Sequence, residues 1–120
     1  MDKLQALHSF LNGYATAYLA GTTPDKKDAP FPRITYEASI GEFNGPTLMP
    51  ISLWDRSTSW AQITRIALQM QSDLDGGKLV KYDGGAIWIK PGTPFMQTMA
   101  DSDDTLRRIY INLETEYIGG

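Results

Sequence analysis

The chain lacks cysteine altogether and has a single histidine, His8, among its 120 residues. Without cysteine there is no disulfide framework, no zinc–thiolate or iron–sulfur centre and no thiol nucleophile; redox arguments leave the compartment open and compatible with a reducing cytoplasm. One histidine cannot build a His-rich metal site. No apolar run approaches the roughly 20 residues that span a bilayer as a helix. The opening residues, Met1-Asp2-Lys3-Leu4-Gln5, have neither a basic region nor a long apolar stretch, so no signal peptide is expected. Basic residues are fewer than acidic ones, 11 against 14, for a formal charge of −3. That balance counts against a domain whose affinity comes from neutralising phosphates. What remains, 42% hydrophobic and 21% charged, is the composition of one globular domain over residues 1–120.

Periodicity supplies the elements. Leu4, Leu7, Leu11, Tyr14 and Tyr18 recur every three or four positions, which predicts one helix over residues 2–19, closed by Gly21 and Pro24. Residues 21–32 read as a surface loop. Ile34, Tyr36, Ala38 and Ile40 alternate with polar residues as a half-buried strand does. A second strand over residues 48–54 follows, assigned to an edge or a bulge because of Pro50. Ser59 and Gln62 have the spacing of a capping box. The helix they open presents Trp60, Ile63, Ala67, Met70 and Leu74 on one face and stops at Gly76-Gly77. Asp83-Gly84-Gly85 joins strands over residues 78–82 and 86–90 as a short hairpin. In a final strand over residues 106–118, Ile109, Ile111, Leu113, Thr115 and Tyr117 share a face. The expected fold is α+β in the order α-β-β-α-β-β-β: a largely antiparallel or mixed sheet of about five strands flanked by two main helices.

Chemistry-bearing patterns are sparse. His8 lies beside the apolar stripe of the first helix, no Gly-x-Ser-x-Gly elbow accompanies it, and a structural role is expected. Gly76-Gly77-Lys78 fails the phosphate-loop pattern, since Ser72 and Leu79 replace its first glycine and its hydroxyl residue. Asp101, Asp103 and Asp104 form the sharpest carboxylate cluster, just ahead of Arg107 and Arg108. They read as a solvated loop neutralised by those arginines; the competing reading is a divalent-cation site. An EF-hand is excluded by Leu106 and Asn112 at its glycine and glutamate positions. Residues 91–104 form a long connection without periodicity that carries Phe95, Met96 and Met99. Those side chains either fold back onto the core or dock into a partner. Trp54 and Trp88, at strand positions, either cover a sheet face in the core or mark an interface, and the core is the favoured reading.

Four stretches carry a family resemblance. They are Ile34 through Phe43 with Leu48-Met49-Pro50-Ile51-Ser52-Leu53-Trp54, Thr58-Ser59-Trp60, Asp83-Gly84-Gly85-Ala86-Ile87-Trp88-Ile89, and Pro94-Phe95-Met96-Gln97 with Asp103 through Ile111. Together they resemble small tail-region proteins of long-tailed bacteriophages and prophages, of the minor-tail, minor-capsid or tail-completion kind, and the element order resembles the phage tail-terminator fold. The resemblance implies a non-enzymatic structural protein without cofactor or metal, a hexameric ring that caps the tail tube and joins it to the head. It implies contacts with further copies, the tail tube protein and a head–tail connector, with DNA only as passing cargo and no membrane. The place would be the virion tail, after synthesis in the bacterial host cytoplasm. Phe95, Met96, Met99, Asp101, Asp103, Asp104, Arg107 and Arg108 are the candidate subunit or tube contacts. The alternative is a small divalent-cation-dependent enzyme or ligand-binding domain built on Asp101, Asp103 and Asp104.

Overall fold

Asp2 starts the first helix, α1 (Lys3–Asn12), by a reciprocal cap. Its carboxylate accepts from the Gln5 amide at 2.8 Å, and the Gln5 side chain accepts from the Asp2 amide at 3.0 Å. Leu7 and Leu11 are fully buried by it, each side chain stabilising the fold by about 2 kcal/mol. The computed structural model describes residues 1–19, 21–22, 30–38 and 45–119. The expected helix is seven residues too long: it stops at Gly13, where its middle is weakest, and Thr16–Leu19 form a strand, β1. Asn12 Oδ1 accepts from the Ala17 amide at 3.0 Å and fixes that change of direction. The spacing of Tyr14 and Tyr18 is compatible with a helix, but Ala17 and Leu19 point inward by alternation instead.

The further elements are β2 (Arg33–Tyr36), β3 (Thr47–Arg56), α2 (Ala61–Leu74), β4 (Lys78–Tyr82), β5 (Gly85–Met99) and β6 (Leu106–Gly119). The fold is α+β, with a mixed, curled sheet of six strands among the described residues, one more than expected, in the order β1-β2-β3-β6-β5-β4. Only the β1–β2 pair is parallel. The strand reading of Ile40 and most of the loop that follows it, like most of the loop read over residues 21–32, lie outside the described residues. β3 is an interior strand rather than an edge. Its ladder with β2 ends at Tyr36↔Ile51, one residue short of Pro50, which has no N–H to continue it.

The largest correction concerns residues 91–104. β5 continues to Met99, pairing with β6 up to Pro91↔Leu113 and again from Met96↔Ile111, with a bulge between. Pro91 and Pro94 interrupt the alternation, which is why the strand reads as a loop in the sequence. Phe95 sits inside the bulge and points into the core, so for this side chain folding back onto the core is what the structure shows.

Both helices cover one face. α2 crosses β3, β5 and β6, while α1 packs on β1 and β4, the two edges of the sheet. The curled sheet therefore wraps around α1. The Tyr14 hydroxyl donates to Asp73 at 2.7 Å and ties the end of α1 to α2; burial first, then Asp73, raises the Tyr14 pKa above the ordinary phenol value. Between the layers lie Ile34, Met49, Ile51, Leu53, Ile63, Met70, Leu74, Ile87, Ile89, Ile111 and Leu113, all essentially inaccessible. The α2 cap differs from the expected box: Ser59 Oγ accepts from the Ala61 amide at 3.1 Å, and Trp60, at the N-cap, makes no side-chain cap bond.

Gly76 and Gly77 end α2 with φ of 78° and 92°. A Cβ on Gly76 meets open space, whereas one on Gly77 overlaps the Trp88 ring. Urea unfolding should separate them: Gly76→Ala costs roughly 1 kcal/mol from the left-handed backbone alone, and Gly77→Ala about 2 kcal/mol or more because the indole must also move. Equal losses would show that Trp88 yields freely.

Candidate interaction face

With both helices on one side, alternation along the central strands sends the remaining side chains to a face that nothing among the described residues covers. On β6 this outward set is Arg108, Tyr110, Asn112, Glu114 and Glu116. Register places Arg33, Trp54, Arg108 and Met99 in one cross-strand row, and Thr35, Ser52, Tyr110 and Gln97 in the next. Trp54 and Trp88 both lie on this face, half-buried, and not in the core that the sequence reading favoured over an interface.

Arg108 is held in place. Its guanidinium stacks 4.8 Å from the Trp54 ring centre and 5.9 Å from that of Tyr110, and its Nε donates to Ser52 Oγ at 3.1 Å. Trp54 Nε1 in turn donates to Thr35 Oγ1 at 2.9 Å, which fixes the indole. The planar cation is thus oriented, with its remaining donors uncommitted to any carboxylate among the described residues. Beside it lies a cleft of about 300 Å³ lined by Thr35, Glu37, Pro50, Ser52, Arg108 and Tyr110.

Arg33 extends this cationic end. Its side chain is buried, stacked 4.4 Å from the Phe31 ring, and its Nε and Nη1 have no acceptor among the described residues. Burial holds its pKa below the usual guanidinium value, with the Arg56 charge adding to that effect. Arg56 lies 5.3 Å from the centre of the same Phe31 ring. The opposite end of the face carries Glu114, with Lys90 Nζ at 3.9 Å, and Glu116. Leu48, Leu79 and Ile118 are about half exposed there.

The carboxylate cluster occupies the turn between β5 and β6. Asp101 Oδ1 accepts from the Asp103 amide at 2.9 Å. Asp103 accepts from the Thr105 hydroxyl at 2.7 Å, from the Thr105 amide at 2.9 Å and from Arg56 at 3.2 Å. The expected neutralisation by Arg107 and Arg108 is not what forms: the ion pair comes from Arg56 on β3. Arg107 points to the other side, donating to the Thr58 carbonyl at 3.1 Å beside the Trp60 ring. Asp101 and Asp104 are exposed, Met96 packs partly on the core, and Met99 is half-buried in the Arg108 row. Among the described residues no group of three or more His, Asp or Glu side chains is arranged to hold a metal ion.

A cavity of about 730 Å³ opens beside α1 and is lined by Leu4, Gln5, His8, Asn12, Leu19 and Tyr36, among others. His8 Nδ1 lies 2.7 Å from the Tyr36 hydroxyl, a structural bond of the kind expected. Among the described residues that line the cavity there is no carboxylate to orient the imidazole as a catalytic base requires.

Arg33, Arg56 and Phe31 escape the sequence reading because they converge on Trp54 only through strand pairing. The signal available was the unbroken polarity of the outward β6 positions.

The Thr105 bonds, then Arg56, hold the Asp103 carboxyl down to about 2. A lowered folded-state pKa stabilises the protein above the unfolded value, near 3.8, and that contribution is lost as pH falls toward 2. The stability difference between wild type and Asp103→Asn should therefore shrink between pH 5 and pH 2, and a carboxyl titration by NMR should place Asp103 at about 2. A difference independent of pH would show that the bonds contribute nothing to folding. No protein-family model matches the chain, and no match to a curated protein was found.

Proposed function

We propose that the chain is a structural component of a long-tailed phage or prophage virion, a tail terminator whose copies close into a hexameric ring that caps the tail tube and joins it to the head. The observation that carries this reading is the uncovered sheet face. Arginine stacked on tryptophan and tyrosine, with exposed leucine and isoleucine beyond, is the side-chain chemistry of protein interfaces. A ring requires two different surfaces on each copy, one to give and one to receive. The sheet face and the β5–β6 turn are two such surfaces, and Met99, Asp101, Asp104 and Arg108 remain contact candidates on them. The sequence likeness to tail-region proteins supports the same role, with the tube protein and a head–tail connector as further partners. The lumen would pass DNA without gripping it, in keeping with the net charge of −3. The protein would act in the virion tail after synthesis in the host cytoplasm.

Light scattering across concentration, with negative-stain images of the heaviest species, tests the reading. Annular particles of hexameric mass are expected, either from the chain alone or on addition of tail tubes. A chain that stays monomeric in both conditions would overturn it.

A further inference from the structure

We infer that the acidic turn at residues 100–105 of one copy docks on the arginine–aromatic end of the sheet face of the next. This names the contact within the ring reading and rests on it.

The turn is built to present charge. Its own backbone and Thr105 consume Asp103 together with Arg56, which fixes the loop conformation before any partner arrives. Asp101 and Asp104 are left exposed, without a cation among the described residues. The turn contains no lysine or arginine. The receiving end is equally prepared. Arg108 lies over the Trp54 ring with Nε committed to Ser52, and it lines the cleft of about 300 Å³, where Glu37 is the one carboxylate among the described lining residues. That volume accommodates an aspartate side chain. Bidentate pairing of carboxylate with an oriented guanidinium is the strong form of this bond. Arg33, with two buried nitrogens lacking acceptors among the described residues, adds an unsatisfied positive charge to the same end.

Direction follows from the other end of the face. Glu114 and Glu116 repel an incoming carboxylate, although Lys90 offsets the first of them, so the acidic turn is steered toward Arg33 and Arg108. The contact repeats from copy to copy when each copy gives its turn to one neighbour and receives the turn of another, the heterologous arrangement that a ring needs. Nucleic acid is a poorer occupant: a phosphate backbone crossing the face meets both glutamates.

Two variants and their mixture test the contact. Arg108→Glu makes the receiving end acidic, and Asp101→Arg with Asp104→Arg makes the exposed turn basic; circular dichroism confirms that each is folded. Light scattering should show self-association weakened about tenfold or more in each alone. An equal mixture should restore it, because each variant's turn then meets the opposite charge on the other's face. Filaments or other non-annular assemblies with this same loss and rescue would support the contact and count against the ring. Hexameric rings unaffected by either variant would overturn the contact and leave the ring reading standing. A wild-type chain monomeric to about 1 mM would overturn the contact. So would salt-sensitive binding of duplex DNA that Arg108→Glu abolishes while self-association is unchanged.

Discussion

A sheet whose helices all lie on one side exposes a second face, and in this protein the division runs down a single strand. Along β6, Ile109, Ile111 and Leu113 vanish beneath α2, while Arg108, Tyr110, Asn112, Glu114 and Glu116 turn outward. Because side chains alternate strictly, the register of β6 with β3 and β5 decides at once what the core contains and what the surface displays. A slip of one residue would bury three charges and expose three aliphatic side chains. Burial of the aliphatic set fixes the register, and the outward row of arginines and aromatics follows from it.

Curl is the second consequence. α1 reaches both edge strands, β1 and β4, so the sheet bends around it. Lys78 and Lys81 on β4 protect the same edge by charge. The outward face and the turns offer side chains for contacts between molecules. On that face the cation of Arg108 has already surrendered much of its freedom to Trp54, Tyr110 and Ser52, so a carboxylate binding there orders little that is not ordered.

The turn shows how local chemistry and tertiary placement divide the work. Asp103 and Thr105 close it by hydrogen bonds two residues apart, a motif legible from sequence. The cation that completes it, Arg56, arrives from β3 across 47 positions of chain. Arg107 and Arg108, adjacent in sequence, separate to opposite faces because neighbouring strand residues must. Proximity along the chain was therefore a poor guide to which arginine meets which aspartate.

By itself the sequence determined the α+β class, the buried faces of both helices, the β4–β5 hairpin and the inward set on β6, since each follows from a period of 3.6 or 2 or from a glycine turn. It also determined what chemistry is missing, through the absence of cysteine and the lone histidine. The tertiary structure decided where periodicity was ambiguous or interrupted. Residues 16–19 became an edge strand because β2 offered them a ladder, and Phe95 entered the core because a bulge carried β5 past two prolines. The meeting of Arg33, Trp54, Arg108 and Tyr110 was likewise a tertiary outcome. These residues lie on three strands, and only hydrogen-bond register, which local sequence does not encode, brings them side by side.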